Sequence, residues 1–200
     1  SVSLSVIGKY NVYNTLAAAT VGLINGFELS DVIKNAEKLR VLPGRMEKID
    51  LDNGAEVFVD FAHNPGALER ALLDLEEYCE DIRVVFGCGG MSDRGKRPEM
   101  GRIASNHAKK SYITDDNPKK ESREKILEDI ERGFAGSADY EIIPDRKKAI
   151  KTAMNELEPD SCLLVAGKGH ERYQVVGDNW VRFNDREFVE EVARNLSLLQ

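Results

Sequence analysis

Cysteine is scarce in this chain, and the three residues present, Cys79, Cys88 and Cys162, are odd in number and show no Cys-x-x-Cys spacing. Neither a zinc site nor a disulfide framework follows from such a set, and a reducing cytoplasm suits it best. Long apolar runs are missing too. The most apolar stretch, Leu16 to Ile24, is about half the ~20 residues that cross a bilayer, and no basic-apolar-cleavage arrangement opens the chain. An excess of basic charge is also lacking. A net charge of -7 and a pI near 5.2 argue against a nucleic-acid backbone as the main partner, since such proteins usually carry a basic face. The Lys/Arg cluster at 94–97 then reads as a local anion site. No repeat or low-complexity tract occurs, and neither does a G-x-x-x-x-G-K-[ST] loop, an H-E-x-x-H pair or a recognisable nucleophile-base motif. If the chain serves an enzyme, part of that enzyme lies elsewhere.

What is present is enough for a core. With 200 residues, 42% hydrophobic and 32% charged, the chain suits one globular domain, or one and a fragment. Val2, Leu4 and Val6 alternate as in a strand. An Ala/Leu-rich helix then runs to Asn25-Gly26, and a second helix opens at Ser30 and Asp31 and continues to about Leu39. Pro43 and Gly44 stand between that helix and a new strand, and mark either a domain boundary or a surface turn. Beyond them the pattern predicts strands over 46–51, 55–60, 82–87, 110–114, 139–143 and 161–166. Helices are predicted over 65–79, 98–109, 121–134, 145–157 and 185–197. Such alternation predicts an α/β protein with a doubly wound, mostly parallel sheet and flanking helices. Asn53-Gly54 and Gly177-Asp178 are expected to turn antiparallel hairpins at its edges.

Four of the apolar strands stop at polar loops: DFAHNPG (60–66), GCGGMSDRGKRP (87–98), TDDNPKK (114–120) and GKGHE (167–171). In an open parallel sheet, ligands bind beyond the carboxyl ends of the strands, so the four loops are expected to build one polar site. Each has a plainer reading as well. Asn64-Pro65 suits a helix N-cap followed by Pro at the first helical position, which leaves Asp60 and His63 free to meet a ribose and a base. The glycines at 87, 89 and 90 allow either a tight strand-to-helix turn or close approach of a ligand to the backbone. The latter loop is not G-x-G-x-x-G, because Ser92 stands where the third Gly would fall. Asp115, Asp116 and Asn117 suit either an Asx turn or an amino-acid pocket, with Asp116 facing an ammonium and Lys119 a carboxylate. Glu171 is a further carboxylate for an amine.

Taken in order, GKYNVYNTLAA (8–18), LPGRME (42–47), DFAHNPGALE (60–69), FGCGGMSDRGKRPEMG (86–101), TDDNPK (114–119) and LLVAGKGHERYQ (163–174) resemble successive motifs of the Mur ligases. The resemblance spans nearly the whole chain and is nearest to the branch that adds the third residue of the peptidoglycan stem peptide. It implies a three-domain, ATP-dependent amide ligase whose central domain carries the P-loop, the magnesium ligands and a carbamylated lysine. Residues 1–44 would be the strand-helix-helix end of that central ATPase domain, and 45–200 the Rossmann-like carboxyl-terminal domain. Ser1 would then be a cut within a longer chain, and the fragment alone would be inactive and hold no metal or catalytic residue. ATP and Mg2+ are the implied cofactors, bound mainly by the missing central domain. The implied partners are a UDP-linked muramyl peptide, a small amino acid and the protein's own missing amino-terminal and central domains, with no nucleic acid or membrane.

By motif position the resemblance places Asn11 and Asn14 by the adenine, Arg45 at the phosphates, Asp60 on the ribose, and His63 and Asn64 near the nucleotide. Asp116, Asn117, Lys119, Gly167 and Glu171 would line the amino-acid pocket. Two positions depart from the pattern of ligases that add meso-diaminopimelate: Lys119 stands for an Arg in the Asp-Asn-Pro-x motif, and Ser92 for an Arg in the Gly-rich loop, with Arg94 two residues on. Lys lacks the two-pronged Arg-carboxylate geometry, and one charged hydrogen bond is worth about 1.5–3 kcal/mol. Lysine therefore rivals diaminopimelate as the acceptor. A Mur-like ligase of pseudomurein assembly or tetrapyrrole amidation, a folate-polyglutamate-type ligase, and a stand-alone amino-acid or nucleotide-binding module remain alternatives.

Overall fold

In the computed structural model, residues 4, 6, 8–196 and 198 are described. The strand expected at the start falls largely outside that set, and the described Leu4 and Val6 have no regular structure. The chain divides into two compact units, one ending at Leu42 and one beginning at Pro43.

The first unit contains α1 (Lys9–Ile24) and α2 (Leu29–Ala36). Asn25 caps α1 and Gly26 follows at φ 84. Gly26 N donates to Leu23 O at 3.0 Å and Phe27 N to Gly22 O at 3.1 Å, the paired bonds by which a left-handed glycine closes a helix end. Neither helix has a buried residue, and Tyr13, Leu16, Ile24 and Phe27 are exposed apolar side chains. Between the helices a cleft of about 280 Å³ is lined by Ala18, Ala19, Phe27, Val32 and Leu39, among others.

The second unit is built on a six-stranded sheet. Its strands are β1 (Glu47–Asp50), β2 (Glu56–Asp60), β3 (Ile82–Phe86), β4 (Lys110–Ile113), β5 (Tyr140–Ile142) and β6 (Cys162–Ala166), in the order β1-β2-β6-β3-β4-β5. Only the β1–β2 pair is antiparallel, joined through the predicted turn at Gly54, whose φ is 89. The parallel strands β3 and β6 are buried at every position, as sheets covered on both faces are.

Alternate side chains face opposite helical layers. Val57, Val59, Val85, Tyr112, Leu163 and Val165 join one core with Ala149, Ile150, Ala153 and Val189, contributed by α6 (Arg146–Asn155) and α7 (Asp185–Asn195). Helices α3 (Pro65–Glu76), α4 (Lys96–His107) and α5 (Arg123–Glu131) supply Leu68, Leu72, Met100, Ile103 and Ile126, also buried. The helix starts follow the sequence signals. Asn64, Ser122, Asp145 and Asn184 each accept a backbone N–H three residues on, and each such cap is worth about 1 kcal/mol. Helix α4 departs from expectation by starting at Lys96, which puts Pro98 third rather than first. The early turn tolerates it, because the N–H that Pro lacks has no partner there in any case.

One hairpin departs further. Strands β7 (Tyr173–Val176) and β8 (Asn179–Arg182) form a separate two-stranded sheet rather than an edge of the main one. Strand β7 attaches instead to the loop after β4, through a bridge between Lys119 and Val176.

Candidate ligand site at the carboxyl edge of the sheet

Parallel β2, β6, β3 and β4 are consecutive in the sheet, so the four polar loops leave the same edge side by side. Strand β6 enters last, between β2 and β3, and sets the GKGHE loop amid the others. Backbone bonds tie the set together: Gly167 N to Asp60 O at 3.1 Å, Thr114 N to Phe86 O and Gly90 N to Asn117 O at 2.9 Å.

Two glycines of the loop after β3, Gly87 and Gly90, serve this packing. A Cβ on Gly87 would stand 2.0 Å from Thr114 O, and one on Gly90 would stand 1.9 Å from Pro118 O. We expect Gly87→Ala to cost about 1–3 kcal/mol by forcing adjacent loops apart, read from the urea midpoint. Two of this loop's cations, Arg94 and Arg97, are paired within the chain. Arg97, fully buried, donates to Glu121 at 2.8 and 2.9 Å and to Asp129 at 3.0 Å, and Arg94 pairs with Glu121 at 3.0 Å. Ser92 Oγ turns back onto Gly89 O at 2.7 Å. Within the 94–97 cluster, Arg94 and Arg97 thus hold a carboxylate of their own chain, while Lys96 donates to His63 O at 2.7 Å.

Hydrogen bonds from Arg97 and from the Met91 amide hold the Glu121 carboxyl down at about 2, against an ordinary 4.5. A depressed carboxyl stabilises the fold fully above its unfolded value and loses that contribution as pH falls through its folded one. Thermal midpoints should therefore drop between pH 4.5 and about 2, and Glu121→Gln should flatten that limb.

The amino-acid candidates converge. Asp116 is 93% buried (7% exposed), yet among the described residues nothing donates a hydrogen bond to its carboxylate. Its Oδ2 lies 2.7 Å from where a Cβ on Gly167 would stand, and Gly167 has φ 118. Burial pushes the Asp116 carboxyl above its usual range, against the pull of Arg146 and Lys168. Beside it, Asn117 Nδ2 donates to Glu171 Oε2 at 2.9 Å, and buried Lys168 donates to the same oxygen at 2.8 Å. Burial opposes ionisation of Glu171, but these two bonds outweigh it and hold the carboxyl low. Lys119 is exposed at φ 54, with its backbone paired to β7: its N donates to Val175 O at 3.0 Å, and Gly177 N donates to its O at 2.7 Å.

The nucleotide candidates in this unit gather at the β2 end. Asp60 is buried, its oxygens accepting from Met46 N at 2.7 Å and Ala62 N at 2.8 Å. Burial still leaves its carboxyl above the usual range, and each oxygen keeps a second lone pair for a hydroxyl. Exposed His63 and His170 flank Phe61 with ring centroids 4.6 and 5.1 Å away, and exposed Arg45 lies over the same ring at 5.4 Å. Asn64 is exposed, with its Oδ1 committed to the helix cap. Asn11, half-buried, and Asn14, exposed, belong to α1 in the first unit. Among the described residues no group of three or more His, Cys, Asp or Glu is placed to hold a metal, and no helix is long and apolar enough to cross a membrane.

Sequence reasoning missed what stands behind the pocket. Arg146 and Asp185, both buried, form a two-pronged pair with two contacts of 2.8 Å, and Arg146 also donates to Ala166 O at 2.9 Å and Asp115 O at 3.3 Å. One guanidinium thus braces the ends of β4 and β6 and the start of α7. In the run Arg146-Lys147-Lys148 nothing linear separates the buried cation from its exposed neighbours. Gln174 was missed as well; its Nε2 donates to Asp116 O at 2.9 Å.

Residues 44–169 match the family described as Mur ligase, glutamate ligase domain. The 2,6-diaminopimelate-adding UDP-N-acetylmuramoyl-L-alanyl-D-glutamate ligase of Haemophilus influenzae is 43% identical over 183 residues, 91% of this chain and 38% of that protein. A ligase of the same name from Bacillus cereus is 41% identical over 192 residues, 96% of this chain and 39% of that protein. A solved structure bearing that ligase name superposes with a TM-score of 0.78 at 34% identity, covering 98% of this chain and 40% of the other. The chain thus spans about two fifths of the length of the curated relatives it matches. With that match running from the Gly44 turn into the GKGHE loop, the chain belongs to the Mur ligase family.

Proposed function

We propose that this chain is the carboxyl-terminal part of a cytoplasmic, ATP-dependent amide ligase that adds a diamino acid to a UDP-linked muramyl peptide in cell-wall precursor synthesis. The observation that carries the reading is Asp116, a buried carboxylate with no donor among the described residues, set against Gly167 and beside Asn117 and Glu171. A buried charge is costly unless paired, and an incoming ammonium is the partner it lacks. Residues 1–44 belong in this reading to the end of a central nucleotide-binding domain. Support comes from α1 and α2, whose apolar residues are exposed, as expected of a piece cut from a larger core.

ATP, when bound, activates the donor carboxylate as an acyl phosphate, and magnesium belongs to the rest of the longer enzyme. This chain's part is positioning. The rings of Phe61, His63 and His170 offer a flat surface to a nucleotide, Arg45 a cation to its phosphates, Asn64 a free amide, and Asp60 its remaining lone pairs to a ribose. Asn11 and Asn14, on α1, are offered to an adenine in the longer protein. Asp116 and Glu171 hold an ammonium of the acceptor, and Asn117 reaches its carboxylate. Gly167 leaves room for it, since a side chain there would strike Asp116. Such orientation turns attack on the acyl phosphate into an effectively unimolecular step. Of the cations near the pocket, Arg94 is tied to Glu121, so exposed Lys119 rather than Arg94 takes the role that the Ser92 position gives up.

The test is amino-acid-dependent ADP release by the longer enzyme, with a UDP-muramyl dipeptide as donor and meso-diaminopimelate, L-lysine and L-glutamate as acceptors. Selective stimulation by one diamino acid supports the reading. Silence across the panel from a folded, ATP-binding enzyme overturns it.

A further inference from the structure

Lys168 is wholly buried, so it reaches no ligand directly. Its ammonium donates to Glu171 Oε2 and Tyr173 O at 2.8 Å and to Asn117 Oδ1 at 3.1 Å. Asn117 Oδ1 also accepts from Val175 N at 3.0 Å. Two obligate donors on one atom fix which end of the amide is oxygen. The other end spends one N–H on Glu171, and among the described residues the second has no acceptor. The pocket therefore presents a carboxylate without a donor, a carboxylate compensated by a buried lysine, and one amide N–H free to meet an anion. Arg146 and Asp185 behind it cancel. With Lys168 in place, Asp116 and Glu171 together leave one negative charge, matched by one ammonium and leaving none to repel a carboxylate beside it.

We propose that Lys168 is a positioning residue for acceptor selectivity, which by neutralising Glu171 and fixing Asn117 reserves the pocket for an acceptor end bearing both an ammonium and a carboxylate. The inference rests on the ligase reading above. Without Lys168 the pocket gains one uncompensated negative charge, while Lys119 is unchanged. A carboxylate entering it is then repelled, and a purely cationic end is favoured.

Meso-diaminopimelate and L-lysine differ by such a distal carboxylate, so the ratio of their kcat/KM values in the longer enzyme reads the effect. The unaltered enzyme should favour the dicarboxylate. Lys168→Met should shift the ratio toward lysine by at least about tenfold, the scale of one unit charge a few ångströms away in a protein. Lys168→Met combined with Glu171→Gln restores the single charge and should return the ratio toward its starting value, whatever the absolute rates. Lys168→Gln, which keeps a donor for Tyr173 O, replaces the Met variant if that one fails to accumulate. A merely structural lysine would lower both acceptors together, and an unmoved ratio, or one the double variant does not restore, overturns the inference. If the unaltered enzyme releases no ADP with either acceptor, the ligase reading fails and takes the inference with it. If it turns over and prefers lysine, only the inference fails.

Discussion

Replacing Asp116 by Asn is expected to make the fold more stable and the enzyme nearly useless. The side chain is buried without a hydrogen-bond donor among the described residues, and burial pushes its carboxyl up. A carboxyl whose folded value is raised above 3.8 destabilises the native state wherever it is ionised, and that deficit disappears as pH falls through the folded and then the unfolded value. Asp116→Asn should therefore raise stability at neutral pH by on the order of 1 kcal/mol, the usual return from relieving a functional strain, with the gap closing in acid. On the proposed reading, the same change in the longer enzyme removes one half of a buried charge pair with the acceptor, worth about 2–5 kcal/mol. Amino-acid kcat/KM should fall on the order of a hundredfold or more, with the KM for ATP unchanged. Thermal melts at two pH values and steady-state kinetics measure both. Loss of stability together with unimpaired amino-acid use would remove Asp116 from the pocket.

Arg146→Met carries the second large effect, of the opposite sign. Asp185 would keep its charge in a wholly buried position with its two-pronged partner gone, and Ala166 O and Asp115 O would lose a donor. Breaking a buried pair from one side costs about 3–5 kcal/mol, whereas replacing both partners by apolar residues of similar volume is often neutral. Arg146→Met should thus lower the unfolding free energy by several kcal/mol, and Arg146→Met with Asp185→Leu should recover most of it, both read by urea denaturation. A single variant within 1 kcal/mol of the unaltered protein would show that the pair does not brace the three chain ends.

The sheet was legible because its signals are local. Runs such as Val84-Val85-Phe86 and Leu163-Leu164-Val165 carry a buried strand's pattern wherever they pair, and the caps at Asn64, Ser122, Asp145 and Asn184 act within three residues. That the polar loops share one edge follows from parallel pairing, which strand-helix alternation predicts. The partners of a charge were not legible. Arg97 lay in the expected anion site, Lys168 in a polar ligand loop and Arg146 in a plain run of cations, while their burial depends on Glu121, Glu171 and Asp185, from 3 to 39 residues away. The role of the glycines was left open for a related reason. Gly87 and Gly90 look like room for a ligand, but the atoms they make room for are the backbone of the neighbouring loop, and strand order decides that. The β7–β8 hairpin was found from Gly177-Asp178, while its attachment to Lys119 is a long-range pairing without a local mark.

On the proposed reading one sheet edge divides into an amino-acid half, at residues 116–119, 167–169 and 171–175, and a nucleotide half, at 44–46, 60–64 and 170. Amide chemical shifts of the 15N-labelled longer enzyme read this division, with the diamino acid and ATP titrated separately. The diamino acid is expected to move the amides of Asp116, Asn117, Gly167, Lys168 and Val175 and leave Arg45, Phe61 and His63 in place, and ATP to do the reverse. Shifts from both ligands confined to one half, or a diamino acid that moves only residues away from this edge, would contradict it.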